Sequence, residues 1–153
     1  MVDVRDETKI QLAFQRVQIY NPMSWILRLR CGKYIHVELI FPEPYIYVTN
    51  SFSSRITGPR FKKIKYNNRY WDFVTLDKKY QDDILLIRER CFSIVKVLPK
   101  YDFVGAVFEA GYDIPLEIRE RWYCSELIAY ILGIKKYGVD PVELFYILTK
   151  LKC

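Results

Sequence analysis

Cys124 and His36 are the two side chains of this sequence best suited to nucleophilic chemistry. A cysteine attacks as its thiolate, and imidazole is the side chain whose ordinary pKa suits proton transfer near neutrality. His36 is the only histidine in the chain, so it is the only base of that kind available to the thiol. Cys124 lies near the start of a predicted helix over 121–132, whose apolar stripe Leu127, Ile128, Ile131 and Leu132 ends at Gly133. Offsets of four and seven residues from Cys124 reach Ile128 and Ile131, which puts the thiol on the buried face. The positive end of the helix dipole there favours the thiolate. Taken singly, both residues have plainer explanations. A cysteine on an apolar helix face usually packs, and a lone histidine on a strand is weak evidence of anything. Taken together they predict a nucleophile and its general base.

The elements that must bring them together follow from local pattern. Tyr34 to Phe41 is β-branched, aromatic and partly alternating, which predicts a strand stopped by Pro42-Glu43-Pro44. Tyr45 to Asn50 is predicted as a second strand, and the short connection makes the two an antiparallel hairpin. Pairing symmetric about Glu43 sets His36 opposite Asn50 and Glu38 opposite Val48. Asn50 is then the first candidate to hold the imidazole, with Thr49 or Ser51 taking its place after a one-residue slip. Glu38 is the second candidate, since residues two apart on a strand point in parallel. Further strands are expected over 56–66 and 70–76, separated by the turn-forming Asn67-Asn68.

The remaining segments read as helices. Ile10, Phe14, Val17 and Ile19 suit a weakly amphipathic one ended by Asn21-Pro22. Ile84, Ile87, Cys91, Val95 and Leu98 predict a long one closed by Pro99. A shorter helix over 101–110 has Asp102 as N-cap, and a last one runs from Asp140-Pro141 to about Leu151. The fold class is α+β: one domain, a small antiparallel sheet packed against helices.

Composition narrows the function classes. A chain of 153 residues matches one domain, and 51% hydrophobic with 27% charged residues fits a globular protein rather than a disordered one. No run approaches the apolar length of a membrane helix, and the charged start Met1 to Lys9 lacks the apolar stretch of a signal peptide, so the expected address is the cytoplasm. The four cysteines, Cys31, Cys91, Cys124 and Cys153, show no CxxC pairing, so no metal site is expected, and without a secretory signal the thiols should be free; no cofactor is expected. The net charge of +6 is partly concentrated in Arg55, Arg60, Lys62, Lys63, Lys65 and Arg69, with Phe61, Tyr66 and Tyr70 among them. Such a stretch could bind an anionic surface or nucleic acid, but its plainer reading is a solvated face, and alone it carries no functional claim.

The run Lys33-Tyr34-Ile35-His36-Val37-Glu38-Leu39, followed by Tyr101-Asp102-Phe103 and by Trp122-Tyr123-Cys124-Ser125-Glu126-Leu127, resembles the circularly permuted branch of the NlpC-type papain-like superfamily. That branch includes YiiX-like bacterial proteins, poxvirus and phage groups and, more distantly, lecithin retinol acyltransferase. In ordinary papain-like enzymes the cysteine helix precedes the histidine strand. In this branch the strand comes first, as His36 precedes Cys124 here, and the likeness covers roughly residues 25–135. The resemblance implies a permuted papain-like fold with Cys124 as nucleophile, His36 as base, Asn50 in the place of a polar third residue that is often a carboxylate, and Tyr101 near an oxyanion hole. It implies a cysteine hydrolase or acyltransferase acting on a cell-wall-type peptide, an N-acyl amine or a lipid ester. The contrasting expectation is a non-catalytic binding module on the same fold, such as a viral or phage accessory protein working in a host cell and engaging host protein, nucleic acid or membrane through the basic stretch.

Overall fold

The computed structural model describes residues 3–17, 32–42, 51–55, 58–97, 124–136 and 138–150. Among these, five strands form one wholly antiparallel sheet: β1 (Gln11–Arg16), β2 (Tyr34–Ile40), β3 (Ser51–Arg55), β4 (Gly58–Lys62) and β5 (Trp71–Thr75), in the spatial order β4-β3-β2-β1-β5. Four helices follow in sequence: α1 (Lys78–Asp82), α2 (Ile84–Val97), α3 (Cys124–Ile131) and α4 (Pro141–Lys150). The α+β class, sheet first and helices after, is as the sequence indicates.

One face of the sheet carries the main core. Leu12 and Phe14 of β1, Val37 and Leu39 of β2, Phe52 of β3 and Val74 of β5 pack with Ile87, Cys91 and Ile94 of α2, Leu127, Ile128 and Ile131 of α3, and Leu144 and Leu148 of α4. The opposite face carries a smaller cluster of Ala13, Ile40, Trp71 and Phe73, with Tyr66 and Tyr70 laid against it. Side chains along a strand alternate between faces, so His36 and Glu38 share the β2 face with Ile40, while Val37 and Leu39 look toward the helices.

Two sequence expectations change here. The segment around Ile10 to Val17 is a strand, not a helix: β1 lies between β2 and β5, and both its faces are covered. A strand buried on both sides shows no clean alternation, so Ile10, Phe14 and Val17 matched a helical period by spacing alone. In α2 the buried stripe is Ile87, Cys91 and Ile94, while Val95 is exposed.

The other helix signals hold. Asp140 accepts the Glu143 backbone N–H at 2.8 Å, capping α4 as its Asp-Pro start predicts. α3 ends at Gly133 with φ +71°, and the bonds from Ile134 N–H to the Ala129 carbonyl and from Gly133 N–H to the Tyr130 carbonyl close it as a Schellman turn. The helix predicted over 101–110 and the strand predicted over 45–50 lie outside the described residues. No helix among the described residues is long and apolar enough to cross a membrane.

Candidate active site

The site is built around a local irregularity in β2. Gln15 of β1 faces His36, but the next residue, Arg16, faces Tyr34, so Ile35 is an extra residue bulged out of the ladder. The bulge turns Tyr34 to the helix side, where its ring packs 4.9 Å from that of Phe145 on α4, and leaves His36 on the other face.

A second irregularity opens the sheet beside it. β2 and β3 pair at Leu39 with Phe52 and at Ile40 with Ser51. At Val37, a side chain and a thiol take the place of ladder partners: the Ser53 hydroxyl donates to the Val37 carbonyl at 2.7 Å, and the Val37 N–H donates to the Cys124 sulfur. The gap admits the first turn of α3, which packs on both β2 and β3. Ser125 fixes that turn from behind by donating its hydroxyl to the Val139 carbonyl at 2.6 Å, just ahead of α4.

Cys124 and His36 therefore meet where the strands part. The two side chains hydrogen-bond to each other, and both are almost wholly buried, at 2% and 7% exposure. Burial would raise the thiol pKa, but the His36 charge and hydrogen bond, together with the Val37 and Ser125 N–H groups, outweigh it and hold Cys124 below the usual thiol range. Burial would equally lower the imidazole pKa. The Cys124 thiolate and the Glu38 carboxylate overcome that and carry His36 up to about 9. The pair accordingly favours thiolate with imidazolium over thiol with neutral imidazole. Cys91 is the contrast. It is equally buried with no base beside it, and burial pushes its thiol up.

The group that holds His36 is Glu38. Its Oε1 lies 3.0 Å from His36 Nε2, which leaves Nδ1 as the ring nitrogen for the sulfur. The same Oε1 accepts Arg60 Nη2 at 3.1 Å, and Oε2 accepts the Ser51 hydroxyl. Glu38 is fully buried, which would raise its pKa, yet the His36, Ser51 and Arg60 contacts bring the carboxyl down to about 2. The side chain is long enough to bend along the strand, so the parallel departure of two same-face residues does not keep it from its neighbour. The expected hairpin register does not hold: with Ile40 opposite Ser51, the pairing differs from the one that set His36 against Asn50 and Glu38 against Val48. Asn50 itself, like Tyr101, lies outside the described residues.

Comparison with protein-family models, with curated proteins and with solved structures finds no match. The reading of the site therefore rests on its own geometry.

The basic stretch divides in two. Lys62, Lys63, Lys65 and Arg69 are exposed, whereas Arg60 is committed to the buried Glu38. Its rings face inward: Phe61 packs 5.1 Å from Phe52 and 4.4 Å from Phe92, and Tyr66 stands edge-on to Trp71 at 5.1 Å. The Trp71 ring also borders His36, at 6.5 Å between centroids. Arg60 and Ser51 are the site residues that sequence reasoning missed in these roles. Their short-range signal is absent because they come from two other strands.

Proposed function

We propose that this chain is a cysteine hydrolase or acyltransferase acting on an amide or ester bond, with the circularly permuted papain-like fold that its strand-before-helix order suggests. The observation that carries the reading is the buried row Cys124, His36 and Glu38, in which a thiol, an imidazole and a carboxylate are joined end to end by hydrogen bonds. A packing cysteine needs no base, and a structural histidine needs no thiolate.

The chemistry follows from the row. The Cys124 thiolate attacks the carbonyl carbon, a C–S bond forms, and the carbonyl π electrons move to oxygen. The tetrahedral species collapses, the C–N or C–O bond breaks, and the leaving amine or alcohol takes the proton from His36. Water or an acceptor amine then gives a proton to His36 as it attacks the thioester, and the C–S bond breaks to return the thiolate beside the imidazolium. Glu38 keeps the ring oriented and stabilises its positive charge throughout. The positive end of α3 favours negative charge at the sulfur. Peptide, N-acyl amine and lipid ester substrates all suit this sequence of steps.

Thiol reactivity tests the reading. An ordinary thiol is only a few per cent ionised at pH 7, whereas a thiolate held by imidazolium is ionised nearly in full; allowing for its weaker intrinsic nucleophilicity, a rate advantage of about tenfold is expected. Mass-resolved labelling with iodoacetamide should therefore modify Cys124 about tenfold faster than Cys91, which is a fair control because it is buried to the same degree. His36→Ala should abolish the difference. Equal rates for Cys124 and Cys91 in the unaltered chain would leave the hydrolase reading without support and return attention to a binding module.

A further inference from the structure

Arg60 belongs to β4, two strands away from β2, and yet its guanidinium reaches the carboxylate behind His36. The sequence of β3 makes this reach possible. Ser53 is the residue paired with Arg60, and Ser51 and Ser53 give this face of β3 small side chains over which a long one can cross. Those serines also have tasks of their own: Ser51 donates to Glu38 Oε2, and Ser53 donates to the Val37 carbonyl beside the sulfur. The Glu38 carboxylate is thus held at both oxygens, and Arg60 shares Oε1 with His36 Nε2 at 3.1 and 3.0 Å.

We propose that Arg60 is a positioning residue of this site, holding the Glu38 carboxylate against His36 while limiting how tightly that carboxylate grips the imidazole. Two cations on one oxygen compete for it. A carboxylate with nothing but His36 to satisfy its charge would hold the imidazolium proton hard, and an imidazolium held too hard is a poor acid toward a leaving group. Arg60 withdraws part of that attraction and repels the imidazolium through the shared oxygen. Among the described residues, the groups in this balance are Cys124 from α3 and Glu38 from β2 directly, the polar Gln15 opposite His36 on β1, Ser51 from β3 and Arg60 from β4 through Glu38, and the Tyr66 phenol beside the carboxylate. Trp71 of β5 stands edge-on to the imidazole and adds an apolar neighbour. The inference rests on the hydrolase reading for its kinetic meaning, but its structural core is the coupling between Arg60 and His36.

The single histidine makes that coupling directly measurable. In the full chain labelled with ¹³C and ¹⁵N histidine, the imidazole resonances belong to His36 alone and give its titration without assignment. Two like charges about 5 Å apart in a partly buried site interact strongly enough that Arg60→Met should raise the His36 midpoint by about one pH unit or more. Arg60→Lys keeps the charge and should stay within a few tenths of a unit of the unaltered chain. If Arg60→Met does not fold, Ser51→Ala carries the test, because losing a donor to the same carboxylate must move His36 upward too, by roughly 0.3 units. An unmoved or lowered His36 midpoint in whichever of these variants folds overturns the proposal. That result differs from failure of the hydrolase reading, which would appear as slow iodoacetamide labelling of Cys124 in the unaltered chain whatever His36 does.

Discussion

Removing the thiol should release the imidazole proton, and the size of the effect can be worked from the site. His36 is 7% exposed, and its burial favours the neutral ring. The Cys124 thiolate is the largest influence acting the other way, with the hydrogen bond and charge of Glu38 behind it. At the roughly 4 Å of a sulfur–nitrogen hydrogen bond and an effective dielectric constant near 20, opposite unit charges attract by about 4 kcal/mol, which is about three pH units. Cys124→Ala should therefore lower the His36 midpoint from about 9 by roughly two to three units. Cys124→Ser should do nearly the same, because a hydroxyl keeps the shape of the contact but does not ionise. Stability is the wrong observable for this question. The raised His36 contributes stability that is full below its ordinary 6.5 and lost as pH rises through 9. The lowered Cys124 contributes stability that is full above its ordinary 9.0 and lost as pH falls through its folded value. The two slopes oppose each other between 6.5 and 9, so the unfolding midpoint stays nearly flat while the proton changes owner. NMR of the lone histidine separates them. A His36 midpoint that stays near 9 in both variants would refute the thiolate–imidazolium pair and leave Glu38 as the sole cause of the shift.

The remaining predictions test the surroundings of that pair. Glu38 drops from an ordinary 4.5 to about 2, so it contributes stability that is present above pH 4.5 and lost as pH falls toward 2, on the order of 3 kcal/mol. Glu38→Gln should remove that acid slope from urea unfolding followed between pH 2 and pH 6, and an unchanged slope would show that the carboxylate is not the paired group. Leu127 is fully buried beneath the sheet next to the Cys124 turn, and Leu127→Ala should cost about 2–5 kcal/mol in denaturant unfolding, with a cost below about 1 kcal/mol speaking against the packing of α3 on the sheet. Asp140→Ala removes the cap of α4 and should cost about 1 kcal/mol, read from the same unfolding curves.

What the sequence disclosed divides along physical lines. The end of α3 and the start of α4 were legible because caps and stops are local: Gly133 and Asp140 act on bonds within a few residues of themselves. So was the pairing of Cys124 with His36, because a thiol and an imidazole are picked out by side-chain chemistry before any fold is known. β1 was not, since the coverage of both its faces is a tertiary fact that erases the alternation a strand would otherwise show. The strand register was not either. It followed from assuming a short hairpin symmetric about Glu43, whereas β2 pairs with β3 through Ile40 opposite Ser51. The ranking of Asn50 over Glu38 came from that register. Glu38 was undervalued for a further reason: its orientation is set by Ser51 and Arg60, donors on two other strands that no short-range pattern reveals.

The choice of a carboxylate at this position bears on how three buried charges and a half-buried one come to lie together. An isolated ion costs several kcal/mol to take out of water, and a pair recovers that only with good geometry. Here the charges alternate along one connected row: Cys124 negative, His36 positive, Glu38 negative, Arg60 positive. Each interior member has an opposite charge on both sides, and the row as a whole is neutral. An asparagine in the third place would orient the ring but leave Arg60 without a partner and the imidazolium with only the thiolate. The alternation also fixes the sign of each perturbation at the one group that reports on all of them. Loss of Cys124 or of Glu38 takes a negative neighbour from His36 and loosens its proton, whereas loss of Arg60 takes a positive one and tightens it. Residues that served only to pack would move His36 in one common direction or leave it where it was, so opposite signs in a single titrating ring separate an electrostatic relay from a well-filled core.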